Sequence, residues 1–415
     1  MKRYRKAVSG SRTKRKKIEA VPVVVEAGSS YVDQLIRARI QKELQQALEA
    51  ERDEIVARPW HRHHAEGSEK QYRNGYGEPR ALTCGCGTVR LQMPRLRQGY
   101  DSKIVGKYER LTPEIQELIP QLYLHGLSLG DFEQAYGWMW GQEAPLSEAS
   151  ILRLKSSWEE QLQNWKKQPL DREYVYVWAD GIYPKGGAVD ETLAVLAVVG
   201  VNRKGRKQLL ALEEGYRESE ESWTAVFRDL KRRGVRWIGM MIGDGLDGMW
   251  KALRPTYPMA ARQRCWVHKM RNVLDKVPKK VHDEVLEALR EMYRAKSYEH
   301  VLKLRAAFIR RYRQEYPKAV ESLLEAGETL FTYMRFPEKH WVHLKTTNPI
   351  ESLFATVRLR TRAARRLRTR LGTVCLVFQL LKASEPRLRA IRAPHLVPSI
   401  IKEIQSKQSK VRRAA

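Results

Sequence analysis

Trp237–Asn272 reads WIGMMIGDGLDGMWKALRPTYPMAARQRCWVHKMRN, and the parsing of this stretch decides the fold. The apolar run Trp237–Ile242 ends at Gly243-Asp244-Gly245, and an amphipathic helical pattern follows. A buried strand that feeds a helix delivers a carboxylate to the strand's carboxyl end, where open α/β sheets bind ligands. The flanking glycines permit a sharp turn and a close approach by a ligand. Taken alone, a single Asp after a strand reads as a helix N-cap. Twenty-one residues later, Cys265-Trp266-Val267-His268 forms a C-x-x-H pair at a second strand-to-helix junction.

Upstream lie three strand patterns: Tyr174–Tyr183 (YVYVWADGIY), the nearly continuous apolar run Glu191–Asn202, and Lys207–Tyr216. Asn202-Arg203-Lys204-Gly205 is a turn between the last two. A helix over Glu221–Arg233 precedes the Asp244 strand. Three consecutive strands, a helix, a parallel fourth strand and another helix open a ribonuclease-H-like fold. That order sets Asp180, in the middle of the first strand, beside the end of the fourth.

Downstream, Lys269 to about Lys345 is helical and charged, with helices over Val281–Tyr293 and Tyr298–Tyr312, and reads as an all-α insertion. Thr346-Thr347-Asn348-Pro349-Ile350-Glu351 then opens a helix, with Asn348 as N-cap and Pro349 at the first helical position. Glu351, three after the cap, also fits a capping-box glutamate. Arg358–Arg370 (RLRTRAARRLRTR) holds seven arginines and no acid. Arg358, Arg362, Arg366 and Arg370 recur every four residues and predict one basic stripe leading away from Glu351, suited to a phosphodiester backbone. An apolar helix over Thr373–Leu381 and a basic tail follow.

The chain has 415 residues, enough for two or three domains, with 42% hydrophobic residues and no apolar run near the ~18 residues of a membrane span. No hydrophobic segment follows the basic N-terminus, so no secretory signal is expected. Four cysteines, Cys84, Cys86, Cys265 and Cys375, suggest no disulfide framework and point to a reducing, cytoplasmic setting. Lys+Arg 77 against Asp+Glu 48 gives a net charge of +29 and a pI near 10.0, which selects a polyanionic partner, nucleic acid.

Residues 1–17 carry nine Lys/Arg and no acid, a tail that sticks to phosphates without reading sequence. Leu35, Ile36, Ile40, Leu44 and Leu48 mark an amphipathic helix over Tyr31 to about Arg58. His61, His63 and His64 with Cys84 and Cys86 lack the usual zinc spacing. A β-hairpin is preferred there, with Gly85 and Gly87 at its turn and Val89, Leu91 and Met93 alternating on the return. Residues 112–141 read as helix, turn at Gly126-Leu127-Ser128, helix, which resembles a helix-turn-helix. Another helix runs from Ser147 to Trp165.

Asp180, Asp244 and Glu351 thus converge. Phosphodiester cleavage and transfer needs an activated oxygen nucleophile and a stabilised leaving oxygen, which two Mg²⁺ ions about 3.5–4 Å apart supply through carboxylate ligands. Asp190, Glu213, Glu214 and Asp247 are assigned to turns and surface.

WADGIY around Asp180, IGDGLDGMWKAL around Asp244, QRCWVHKMRNVLDKVP, and TTNPIESLFATVRLRTR around Glu351 are very similar to the signatures of Mutator-type transposases of bacterial insertion sequences. YRNGYGEPRAL, VRLQMPRLRQGY, LIPQLYLHGLSLGDF and ESWTAVFRDLKRRG resemble further blocks in the same order, so the resemblance spans Tyr72 to Leu396. It implies that Asp180, Asp244 and Glu351 are the metal ligands of a DDE site using Mg²⁺, or Mn²⁺ in its place. It also implies that Cys265 and His268 support the site from beside it. Trp266, between them, suits either base stacking or the core. The implied protein binds terminal inverted repeats, cleaves and joins DNA strands in terminal-repeat and target DNA, works as a homodimer or larger assembly, and may proceed through a circular intermediate. A tryptophan that many relatives carry after Arg370 is missing.

The expected layout is a basic tail over 1–30, a mainly helical DNA-end-binding and dimerisation region over 31–170, and a ribonuclease-H-like domain over 171–265. That domain is interrupted by the all-α insertion 266–345, closed by helices 346–385, and followed by a basic tail 386–415. Two alternatives remain: a nuclease or junction resolvase of the same fold, and a non-catalytic DNA-binding descendant. The first fits poorly with the long region before Asp180, the second with the presence of all three acids.

Overall fold

The structure, a computed structural model, describes residues 30–57, 71–124, 129–141, 148–184, 193–363 and 369–414. The basic stretch 1–17, the three histidines at 61, 63 and 64, the turn 126–128, Ser147, Asp190 and Arg366 lie outside them. The chain divides into two compact units: residues 1–123 with 127–148, and 124–126 with 149–415.

In the first unit α1 (Tyr31–Ala57) precedes four short strands, β1 (Arg73–Tyr76), β2 (Arg80–Cys84), β3 (Gly87–Leu91) and β4 (Pro94–Leu96). β2 and β3 form the anticipated hairpin, closing at Cys84↔Gly87, and β4 returns to pair antiparallel with β1. Met93 falls just past β3 yet still packs with Leu44 against Leu48, Leu82, Val89 and Leu91. The apolar face of α1 is used only in its second half: Leu48 is fully buried, whereas Leu35 and Ile36 are exposed. α2 (Pro113–Leu124) and α3 (Leu129–Trp140) share a small core of Ile115, Ile119, Tyr136 and Trp140, so the helix–turn–helix pattern folds as two helices. All four cysteines are free thiols, and the metal-competent groupings found among the described residues do not include Cys84 or Cys86.

The second unit begins with α4 (Glu148–Lys167) and is built on a five-stranded sheet: β5 (Glu173–Ile182), β6 (Leu193–Val201), β7 (Lys207–Tyr216), β8 (Trp237–Gly243) and β9 (Ala261–Arg264). α5 (Glu220–Arg232) joins β7 to β8, and α6 (Asp247–Thr256) joins β8 to β9. The strand order is β7-β6-β5-β8-β9, with β5–β6 and β6–β7 antiparallel and β5–β8 and β8–β9 parallel. A sheet covered on both faces explains why its central strands β5, β6 and β8 read as nearly continuous apolar runs. Trp223, Val226, Phe227 and Leu230 of α5 and Met249 and Leu253 of α6 pack with Tyr174, Val177 and Ala179 of β5. The alternate residues Tyr176 and Trp178 turn to the other side. Tyr176 Oη bonds His340 Nδ1 at 2.8 Å, and Trp178 Nε1 donates to the carbonyls of His343 and Thr346.

Arg233 ties α4 into this unit. Its buried guanidinium donates to the carbonyls of Gln168, Leu210 and Trp165 and lies over the Trp165 ring. The anticipated helical insertion comprises α7 (Trp266–Leu274), α8 (His282–Arg294), α9 (Tyr298–Tyr312), α10 (Pro317–Glu325) and α11 (Glu338–Leu344), linked by short 3₁₀ turns. Trp266 is fully buried, its Nε1 donating to Leu330 O and its ring set edge-on to Phe331 and Tyr293, so of its two readings the core is correct.

α12 (Asn348–Ala363), α13 (Arg370–Ser384) and α14 (Val397–Ala414) follow. The predicted stripe from Arg358 to Arg370 on one helix does not form, because Thr369 is extended (φ −139, ψ 150) and caps α13 by accepting from Gly372 N. Arg358 therefore belongs to α12 and Arg370 to the start of α13. The segment after 386 is also more than a tail. Val397, Ile400 and Ile401 are buried, and Gln405 donates to Glu173 at 2.7 Å, because α14 packs along β5.

Candidate active site

Asp180 and Asp244 meet through strand register. β5 and β8 run parallel with Trp178 opposite Ile242, and two residues further along each strand come the two acids. Asp180 lies near the carboxyl end of β5, later than the middle that the sequence suggested. Its carboxylate is buried and accepts from the Gly181 N–H at 2.9 Å. Asp244 Oδ1 accepts from Leu246 N at 3.0 Å, an Asx turn inside the connection to α6, and Gly245 takes φ +98 to complete it. Leu246, with no side-chain bond, occupies the α6 N-cap, so Asp244 is not the helix cap.

A third acid that the sequence reading passed over joins them. Ligand oxygens of Asp180, Glu218 and Asp244 all lie within 4.8 Å of one another. Burial, then the neighbouring Asp244 carboxylate, pushes Asp180 up to about 7, while His268 and the Gly181 N–H act in the opposite direction. Glu218 is also pushed up to about 7, by burial and then by Asp244 and Asp180. Carboxylates held this close without a countercharge share protons or take a cation.

Glu351 enters from α12. The carbonyl of Thr347 starts the helix ladder, accepting from both Ile350 N and Glu351 N, so the helix starts one residue earlier than an Asn348 cap implies. The Glu351 carboxylate takes the Thr347 hydroxyl at 2.8 Å and faces His268, with Nε2–Oε1 at 3.7 Å. Cys265, His268 and Glu351 form a second group whose ligand atoms converge within 4.8 Å. Glu351 is near enough to Asp180 to raise its pKa, but the tight cluster is the one with Glu218.

The C-x-x-H pair sits where the sequence placed it, with Cys265 between β9 and α7 and His268 one turn along. Cys265 N donates to Gly243 O at 2.7 Å, which fixes this junction beside the end of β8. The Cys265 thiol beside it, followed by the Asp180 and Glu351 carboxylates, holds His268 above the ordinary imidazole value despite desolvation. Burial alone would raise the Cys265 thiol, but His268 and Thr347 hold it below its usual value. The His268 imidazole is thus set between the Cys265 thiol and the Glu351 carboxylate.

The base of α12 is anchored by Lys345. Its buried ammonium lies 4.5 Å from the Tyr293 ring centroid and 4.9 Å from that of Tyr333, and it donates to Tyr293 O. Its carbonyl accepts from Trp266 N at 2.9 Å, so one residue joins the starts of α7 and α12, the helices carrying His268 and Glu351. Beyond the acids, Arg358 is exposed on α12, and Arg370 pairs with Glu214 at 3.4 Å. Arg362 belongs to α12 by its backbone. Glu213, assigned to turns or surface from the sequence, lies instead within β7 and pairs with Lys166 at 2.7 Å, and Asp247 lies in the first turn of α6.

The family model described as "Transposase, Mutator family" matches residues 13–385. The chain is similar to the transposase for insertion sequence element IS6120 of Mycolicibacterium smegmatis, 42% identical over 284 residues, covering 68% of this chain and 88% of that one. It is 36% identical to the transposase for element IST2 of Acidithiobacillus ferrooxidans over 268 residues, 64% of this chain and 90% of the relative. With the transposase for element ISRM5 of Rhizobium meliloti it shares 30% identity over 336 residues, 80% and 82% of the two chains.

Proposed function

Because this chain belongs to the Mutator family of transposases, we propose that it is a DDE transposase that binds the terminal inverted repeats of its insertion sequence. It cleaves a strand there and joins the freed end to target DNA. The observation that carries this reading is the meeting of Asp180 and Asp244 at the ends of parallel strands, with Glu351 delivered from α12. The strand order β7-β6-β5-β8-β9, with its second strand antiparallel, supports a ribonuclease-H-like domain.

The donors fit hard divalent cations: ligand oxygens of Asp180 and Asp244 converge within 4.8 Å together with Glu218, Glu351 adds a carboxylate from the neighbouring group with His268, and no Lys or Arg pairs with Asp180 or Asp244 among the described residues. Asp180, Asp244 and Glu351 would hold Mg²⁺, or Mn²⁺ in its place, as two ions. When bound, these ions supply an activated oxygen nucleophile and charge neutralisation at the leaving oxygen. Asp180, buried on a rigid strand, fixes the centre. Glu351 is held by Thr347 and opposed by His268, which balances part of the negative charge and sets the direction of the carboxylate. Arg358 on α12 offers a charge to the DNA backbone beyond the acids, with Arg362 on the same helix and Arg366 and Arg370 after it. A homodimer or larger assembly on DNA would present two such sites to paired ends. In the described residues no helix is long and apolar enough to cross a membrane.

The test is strand cleavage and joining on a duplex carrying the element's terminal repeat. Asp180→Asn, Asp244→Asn and Glu351→Gln are expected to bind the repeat and neither nick nor join it. Nicking by all three variants would overturn the site, and cleavage without joining by the wild type would point to a nuclease.

A further inference from the structure

Glu218 has no place in the set of three acids, yet the chain makes several local concessions to put it there. It lies in the three-residue connection between β7 and α5, directly after Arg217, which adopts a left-handed backbone (φ 55) that non-glycine residues rarely take. Its carboxyl group crosses over β5 next to Asp180. A Cβ at position 181 would stand 2.6 Å from both Glu218 Cδ and Oε1, so a side chain there would push the Glu218 carboxyl out of this position. The Tyr183 hydroxyl, two residues further along the chain, donates to Glu218 Oε1 at 3.2 Å.

Tyr183 is the one hydrogen-bond partner of the Glu218 side chain among the described residues, and no Lys or Arg pairs with it to balance its charge. The start of α5 already has Ser219 as its cap and Glu220 and Glu221 in its first turn, so Glu218 is not needed to complement the helix. It faces Asp180 and Asp244 instead, like charges that must share protons or take a cation.

We propose that Glu218 is a fourth carboxylate of the metal centre, ligating the same divalent cation as Asp180 and Asp244. Tyr183 then orients it and Gly181 makes the space. This rests on the reading of Asp180 and Asp244 as metal ligands, and gives the first cation three protein carboxylates before Glu351 is counted. Glu351, grouped instead with His268 and Cys265, is left to act on the second.

The test is Mn²⁺ binding to the full chain without DNA, followed by electron paramagnetic resonance of free Mn²⁺ and by calorimetry. Glu218→Gln should weaken the tightest site at least tenfold, and Asp244→Asn should do the same. Gly181→Ala should also weaken it, by pushing the Glu218 carboxyl aside, and should have no further effect in a Glu218→Gln background. This second variant decides the matter if Glu218→Gln does not fold. Affinity within twofold of wild type in Glu218→Gln, or in Gly181→Ala should it stand alone, with Asp244→Asn impaired, would overturn the role of Glu218 only. Unchanged Mn²⁺ binding in both Asp180→Asn and Asp244→Asn would overturn the metal site itself, and this inference with it.

Discussion

Thr347→Val removes the hydroxyl that aims Glu351, along with its longer 3.4 Å contact to Cys265 Sγ. The exchange keeps the β-branched shape at a fully buried position and removes the hydroxyl that donates to Glu351 Oε1 at 2.8 Å. A hydrogen bond to a charged group contributes about 1.5–3 kcal/mol when buried. The Glu351 side chain is 28% exposed, so water recovers part of that. About 1.4 kcal/mol of lost orientation remains, which corresponds to roughly a tenfold effect. The assay is a Mg²⁺ titration of nicking on the terminal-repeat duplex. Its midpoint should rise about tenfold in Thr347→Val and return to the wild-type value in Thr347→Ser. The melting temperature should fall by only a few degrees, roughly 2–4 °C. Equal midpoints for Thr347→Val and wild type would show that Glu351 is aimed by something else.

Three other perturbations probe separate parts of the molecule. Arg233→Met leaves three backbone carbonyls and Asp229 without their buried partner and should cost about 3–5 kcal/mol in urea unfolding followed by tryptophan fluorescence; a loss below about 1 kcal/mol would mean that α4 is held by other contacts. Burial, then Lys207 and Arg392, lowers His343 to about 4, and its Nε2 accepts from Arg392 N. The unfolded chain therefore binds more protons between about pH 4 and 6.5, so this contribution is complete above pH 6.5 and lost as pH falls toward 4. His343→Gln should lose less stability than wild type between pH 7 and pH 4, and parallel losses would refute this. Arg358→Ala, at an exposed position on α12, should lower the slope of log affinity against log salt for repeat DNA by about 0.9, read by fluorescence anisotropy. Arg370→Ala should lower it less, since Arg370 already pairs with Glu214.

The sheet was legible because its strands are long apolar runs, a pattern that survives without knowledge of tertiary contacts. The Asp244 junction was legible for the same reason, standing where an apolar strand gives way to a helical pattern, whereas the short polar strand Ala261–Arg264 before the C-x-x-H pair carries no such run. Glu218 was not legible. It stands in Arg217-Glu218-Ser219-Glu220-Glu221, where acids before a helix are ordinary, and only the proximity of β5 distinguishes it from its neighbours. The arginine repeat misled because periodicity ignores a cap: Thr369 is one polar residue among many until its hydroxyl is seen to accept from Gly372 N. Likewise α14 read as a tail because its few buried aliphatics are diluted by charge, and its anchor, Gln405 to Glu173, joins residues 232 apart in sequence.

The position of the three acids along the chain also fixes a timetable. A ribosome releases Asp180 and Asp244 with the sheet, then the whole helical block, and only afterwards Glu351. α14, which lines the strand bearing Asp180, comes last of all. A message cut short between codons 244 and 351 therefore yields a protein that retains the N-terminal unit and two of the three proposed ligands but lacks Glu351, which under the proposed function makes it an incomplete cutter.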